Sequence, residues 1–184
     1  IMFPMVASVD EFLEACDVTR ECIDELKEEE SPHCEAPIFG PMIELPSAVE
    51  MVEELAAESG FLCIGTNDLV QYTLGVDRTN ESIADYYVPY HPAVLRSLKR
   101  IVTAGTRAGI PVSICGDMAG DPSMLPFLIG IGITKVSIDV RLIRKVQQTI
   151  SGIDRKKATA LADEMLSKGT IRELTSLVGT QNDE

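Results

Sequence analysis

Long apolar runs are missing from this chain. No stretch approaches the ~18 consecutive apolar residues that a membrane-spanning helix needs, so bilayer insertion is not expected. Ile1-Met-Phe-Pro-Met-Val-Ala7 has no basic region before it and no clear cleavage site, so this segment is not expected to be a secretory signal. The opening segment reads instead as a strand that begins abruptly, as though cut from a longer chain. Positive charge is scarce: 16 Lys and Arg stand against 29 Asp and Glu, a net charge of −13. Such a balance repels phosphate backbones and anionic lipid, which excludes nucleic acid and membrane surfaces as expected partners. A small anion can still be held locally by an arginine, a helix N-terminus or a metal. Paired cysteine spacing is lacking as well. Cys16, Cys22, Cys34, Cys63 and Cys115 are odd in number and contain no CxxC, which points to free thiols in a reducing, cytoplasmic compartment. Finally, there is no GxGxxG turn of the kind that opens a dinucleotide-binding sheet.

What remains is one sizeable globular domain. The 184 residues are 45% hydrophobic with a mean hydropathy of +0.11, enough to bury a core. Short apolar runs alternate with helical patterns. Five strand–helix units are expected, at 1–30, 38–58, 61–108, 110–131 and 135–150, with strands at 38–44, 61–65, 110–115 and 135–138. Ser8 and Glu11 form an expected capping box for a helix reaching about Glu30. Helices follow at 46–58, 92–108, 123–131 and 141–150, and 67–91 is expected to be irregular with short helices. Two further helices, about 154–167 and 170–178, close the chain. Near-continuous apolar strands mean a parallel sheet covered by helices. Polar residues at several strand ends suit a (β/α)8 barrel, whose chemistry gathers at the C-terminal face. Five units are three short of closure, so the expectation is α/β, a partial (β/α)8 barrel.

Three strand ends carry chemistry. Ile38-Phe-Gly-Pro-Met-Ile-Glu44 ends on a carboxylate, Phe61-Leu-Cys-Ile-Gly-Thr-Asn-Asp68 on an amide and a carboxylate, and Ile110-Pro-Val-Ser-Ile-Cys115 on a thiol. The plainer accounts are that Glu44 and Asp68 cap the elements after them, that Arg78 pairs on the surface with Asp77 or Glu81, and that cysteines are buried filler. Cys16, Cys22 and Cys63 are read as core or helix-face residues, while Cys34 lies in a loop. His33 sits in a proline-bracketed loop, and His91 precedes Pro92, where it packs or caps. The basic cluster Arg141, Arg144, Lys145 and Arg155-Lys-Lys157 is expected to be a solvated helix face.

Several stretches carry a specific resemblance: Ile1-Met-Phe-Pro-Met5, Pro41-Met-Ile-Glu-Leu-Pro-Ser47, Ile64-Gly-Thr-Asn-Asp-Leu-Val-Gln-Tyr-Thr-Leu-Gly-Val-Asp-Arg78, Tyr90-His-Pro-Ala-Val-Leu95 and Cys115-Gly-Asp-Met-Ala-Gly-Asp121. From residue 1 to about 178 the chain resembles the C-terminal part of the phosphoenolpyruvate-binding barrel domain of Enzyme I, the phosphoenolpyruvate–protein phosphotransferase of the sugar phosphotransferase system. Pyruvate phosphate dikinase and phosphoenolpyruvate synthase share the strand-end residues, but Val76-Asp-Arg78 and His91-Pro-Ala-Val-Leu95 favour Enzyme I. Where that family has Glu after the Cys-Gly pair, this chain has Asp117, one methylene shorter.

The resemblance implies that residues 1–184 are the last five of eight strand–helix units plus two C-terminal helices, with the upstream strands and the phosphohistidine domain absent. It implies Mg2+ held by Glu44 and Asp68, phosphoenolpyruvate bound through Asn67, Asp68 and Arg78, and Cys115 as the acid that protonates the enolate to pyruvate. Partners implied are a phosphocarrier protein, reached through the missing domains, and a second copy in a homodimer. The isolated chain is expected to be inactive in phosphotransfer. Two other classes stay open: a Mg2+-dependent lyase acting on pyruvate enolates, and a non-catalytic dimerisation module.

Overall fold

The computed structural model describes residues 1–179. Five short strands, β1 (Met2–Phe3), β2 (Gly40–Ile43), β3 (Leu62–Gly65), β4 (Val112–Cys115) and β5 (Lys135–Val136), form one sheet in the order β1-β2-β3-β4-β5. Every neighbouring pair is parallel. Sequential order has a topological consequence. Crossovers between parallel strands are right-handed, so with no reversal of strand order the helices fall on one face of the sheet. A doubly wound sheet reverses its order and carries helices on both faces. The expected partial barrel is therefore the arrangement found.

The helices are α1 (Val9–Glu28), α2 (Pro46–Glu50), α3 (Val52–Ala57), α4 (Thr66–Leu74), α5 (Pro92–Ala108), α6 (Asp117–Gly120), α7 (Leu125–Ile131), α8 (Ile143–Gly152), α9 (Arg155–Ser167) and α10 (Ile171–Gly179). Strand side chains alternate between faces. Ile43, Leu62, Ile64 and Ile114 point into the core with Phe12, Leu55, Leu95, Leu98, Ile101 and Phe127. The alternate residues Met42, Cys63 and Gly65 face the other way, together with Cys115, which stands in register with Gly65. That second face carries the site.

Local sequence explains most boundaries. Ser8 Oγ accepts the Glu11 N–H at 3.2 Å, while the Glu11 carboxylate accepts the N–H of Ala7 at 2.8 Å, one residue earlier than in a standard capping box. His91 caps α5, its Nδ1 accepting the Ala93 N–H at 3.1 Å, and Gly109 ends that helix with φ 71°. One expectation is corrected and two details are added. The single helix over 46–58 breaks at Met51 into α2 and α3, and Arg100 of α5 takes the Glu50 carbonyl at 3.0 Å. The helix expected within 67–91 is α4, which starts at Thr66 directly behind β3 with no intervening loop and runs to Leu74, ended by Gly75 at φ 64°. A further short helix, α6, fills the turn after Cys115. No helix among the described residues is long and apolar enough to cross a membrane.

Candidate active site

Glu44 follows the last residue of β2 and is only 3% exposed. Its Oε1 accepts the backbone N–H of Met5 at 2.7 Å, so the residue after β1's turn orients the carboxylate of β2. Burial pushes the Glu44 carboxyl above the ordinary carboxylate range; the Met5 N–H opposes this, and the charge of Asp68 adds to it. Asp68 lies in the first turn of α4, where the helix dipole favours a negative charge.

Thr66, 1% exposed, donates its hydroxyl to the Cys115 carbonyl at 2.8 Å and ties the start of α4 to the end of β4. Asn67 Oδ1 accepts the Asp117 N–H at 2.9 Å, and the Asn67 carbonyl accepts the Tyr87 hydroxyl at 3.3 Å. Arg78 pairs with neither Asp77 nor Glu81. Its Nη1 lies 3.5 Å from Asp117 Oδ2, and its backbone N–H donates to Gln71 Oε1 at 3.3 Å. The shorter acid at 117 therefore still reaches the arginine, although both side chains are substantially exposed.

Cys115 closes β4, followed by Gly116 at φ 95°. A Cβ at 116 would collide with the Thr66 hydroxyl and fall 2.7 Å from Asn67 Oδ1, so glycine is required there on two counts. The Cys115 sulfur lies 3.9 Å from that of Cys63 and 3.4 Å from the Ile64 carbonyl. The contact with Cys63 pushes the Cys115 thiol up, burial adds to the shift, and the charges of Cys63, Glu44 and Asp68 act in the same direction. Cys115 is accordingly a protonated thiol at neutral pH. Cys63 moves the opposite way, lowered by hydrogen bonding from Cys115 first and Ser113 second, against its burial.

One pocket of about 230 Å³ is lined by Met42, Glu44, Gly65, Thr66, Asn67, Asp68, Arg78, Cys115 and Gly116. All five residues singled out from the sequence for this chemistry thus meet at the C-terminal ends of β2, β3 and β4. Asn67 and Asp68 do so from a helix start, not from the expected loop. Thr66, Tyr87 and the Met5 N–H escaped the sequence, because each acts through a hydrogen bond to a residue 20 to 49 positions away. Cys63 is buried as expected, on the same sheet face as Cys115. Cys16 is buried, and Cys22 and Cys34 are exposed.

Among the described residues no group of three or more His, Cys, Asp or Glu side chains could hold a metal. The pair Glu44 and Asp68 does suit a hard cation that keeps water and ligand oxygens in its other positions, as Mg2+ does. A buried carboxylate whose ionisation is opposed by burial and by a second acid is a group that such a cation would relieve.

A family model described as the PEP-binding domain of PEP-utilising enzymes matches residues 1–155. Curated relatives carry the name phosphoenolpyruvate-protein phosphotransferase. That of Listeria monocytogenes is 38% identical over 178 residues, 97% of this chain and 31% of the relative. Those of Geobacillus stearothermophilus and Staphylococcus aureus are each 37% identical over the same span and share. The chain therefore spans 31% of the length of these curated relatives. Among solved structures, a citrate lyase from Burkholderia xenovorans LB400 superposes with a TM-score of 0.60 at 18% identity, covering 99% of this chain and 63% of that one. RipC from Yersinia pestis gives 0.51 at 19% identity, covering 84% and 65%. At these identities the likeness is one of fold alone.

Proposed function

The chain belongs to the PEP-utilising enzymes, as their PEP-binding domain, and from that premise we propose that it carries the phosphoenolpyruvate half of a phosphoenolpyruvate–protein phosphotransferase. The observation that supports this best is the convergence of Glu44, Asp68, Asn67, Arg78 and Cys115 on one pocket. The substrate is a phosphorylated three-carbon acid. The guanidinium of Arg78 offers a planar fork of donors for phosphoryl oxygens, and Asn67 stands beside it, already fixed by the Asp117 N–H. Glu44 and Asp68 would hold Mg2+, which when bound supplies positive charge against the phosphoryl oxygens. As the phosphoryl group leaves for a histidine on another domain, the P–O bond breaks and its electrons stay on the enolate oxygen. The enolate methylene carbon then takes the proton from Cys115 Sγ, giving pyruvate, and the thiolate regains a proton from solvent before the next cycle. A thiol pushed up by its surroundings is held ready as the acid in that step.

The same proposal makes a phosphocarrier protein of the sugar phosphotransferase relay the partner, a cytoplasmic setting the compartment, and a homodimer the assembly. Exposed apolar residues along β1 and beside β5, among them Ile1, Met2, Met5, Val140 and Ile143, are consistent with surfaces that pack against further protein. A lyase would use the two carboxylates but leaves Cys115 and Arg78 without a role.

The test is a graft in which this chain replaces the matching 178-residue segment of the Listeria monocytogenes relative. Phosphoenolpyruvate-dependent phosphorylation of a carrier protein is then measured. We expect activity in the graft and a loss of 10²–10⁴-fold on Cys115→Ser, the usual range for a general acid. A folded graft that binds Mg2+ and phosphoenolpyruvate yet releases no pyruvate would overturn the proposal.

A further inference from the structure

Cys63 and Cys115 stand on the same face of neighbouring strands, two residues out of register. Cys63 pairs with Ser113, and Gly65 with Cys115. Their sulfurs lie 3.9 Å apart, while a disulfide needs about 2.05 Å. From 3.9 Å, closure asks for about 1.9 Å of approach, and backbone must move with the side chains wherever the Cα atoms stand more than ~7 Å apart. The place where it can be supplied is the end of β4. Cys115 is its last residue, and the contacts that must give are the Thr66 hydroxyl on the Cys115 carbonyl and Asn67 on the Asp117 N–H. Cys115 also lines a second cavity, of about 470 Å³, toward Ser137 and Leu142, so a small oxidant reaches Cys115 from two sides. Cys16 has no such neighbour, and Cys22 and Cys34 are exposed without any sulfur contact among the described residues.

We propose that Cys63 and Cys115 are a modification site, forming a reversible disulfide when a hydroperoxide enters the candidate active site. One sulfur, deprotonated, attacks a peroxide oxygen; the O–O bond breaks, hydroxide leaves and is protonated to water, and a sulfenic acid forms. The second sulfur gives up its proton and attacks the first; the S–O bond breaks and a second hydroxide leaves as water. Two thiols are oxidised by two electrons in all, and the peroxide is reduced to two waters. A thiol of the solvent pool reverses the bond by exchange. The consequence for turnover rests on the reading of Cys115 as the proton donor, since the disulfide removes its S–H, but the bond itself does not depend on that reading.

The experiment treats the folded chain with a small excess of hydrogen peroxide, blocks remaining thiols with N-ethylmaleimide, and measures intact mass with and without dithiothreitol. Trypsin leaves Cys34 and Cys63 on one peptide, residues 28–78, so the assignment is made with Cys34→Ser and Cys63→Ser variants and a glutamate-specific digest of the wild type. We expect loss of two hydrogens and two protected thiols in wild type and Cys34→Ser, reversed by dithiothreitol. In Cys63→Ser the bond is lost and a dimedone-reactive sulfenic acid appears at Cys115. Both thiols remaining alkylatable in the folded chain, or an unchanged bond in Cys63→Ser, would overturn the proposal. The digest keeps the test decisive if Cys63→Ser fails to fold. In the Listeria graft, oxidant-dependent loss of pyruvate release should follow bond formation. A bond that forms in a graft inactive even when reduced would count against the functional reading and leave the disulfide standing.

Discussion

Gly65 sits under the carboxylate of Glu44, and replacing it by alanine tests whether that carboxylate is placed as described. Its φ of −89° is open to any residue, so backbone strain plays no part and only the added methyl matters. That carbon would overlap Glu44 Oε2, lie 2.8 Å from Met42 Sδ and 3.0 Å from Glu44 Cβ. Non-bonded carbon contacts are optimal at about 3.5–4.0 Å, so Met42 and Glu44 must each retreat by the better part of an ångström. Glu44 has little room, since it is 3% exposed and held by the Met5 N–H, whereas half-buried Met42 can give more readily. Overpacking of this kind costs about 1–3 kcal/mol, which in a chain of this size lowers Tm by about 2–4 °C per kcal/mol. The assay is thermal unfolding with and without millimolar Mg2+, in a cycle of wild type, Gly65→Ala, Glu44→Ala and the double variant. Glu44→Ala removes the overlapping oxygens, so the methyl should be better tolerated there, with a coupling of about 0.5–3 kcal/mol. Any rise in Tm caused by Mg2+ should shrink in Gly65→Ala and disappear in Glu44→Ala. An equal cost of Gly65→Ala in both backgrounds, with the Mg2+ response unchanged, would refute the placement.

Other outcomes can be checked as simply. Glu44 has a carboxyl raised by the fold, so its neutral form is the one the folded state favours. Its contribution is intact below the unfolded carboxylate pKa of about 4.3 and is lost as pH rises from there through the raised folded value. Glu44→Gln should therefore gain stability relative to wild type between acid and neutral pH without metal, by urea unfolding; a relative loss that grows with pH would contradict this. Arg78→Ala should weaken phosphoenolpyruvate binding by roughly 10–100-fold, the equivalent of one charge-assisted hydrogen bond, with little change in Tm because its ion pair with Asp117 is exposed; a collapse of Tm would mean that the arginine is structural. Gly130→Ala drives a methyl into the backbone carbonyl of Ala158, where α7 packs on α9. Backbone cannot step aside as a side chain can, so a loss of at least ~1–3 kcal/mol is expected by denaturant titration, and an unchanged midpoint would deny that close approach.

Residue pattern alone was enough for most of the elements and for the chemical groups that stand at three strand ends. Apolar runs bounded by Gly and Pro marked every strand, and Pro92 with Gly109 bounded α5, because these signals act within a few residues of chain. The carboxylates, the amide and the thiol could be picked out because each ends or follows a strand, and the C-terminal ends of parallel strands lie at one rim; Arg78, beyond α4, was singled out only through the family resemblance. Met51 and Thr66 show where local signals stop. The break between α2 and α3 coincides with an arginine from α5 binding the Glu50 carbonyl, and α4 begins without a pause because Thr66 is anchored to β4. Only the tertiary structure decided which face of the sheet Cys63 occupies, that Arg78 reaches Asp117 and not its chain neighbours, and that Met5 orients Glu44. Those outcomes rest on strand register and on hydrogen bonds between distant residues. A one-residue slip would send each side chain to the opposite face, and nothing local in the sequence records which register the packed sheet adopts.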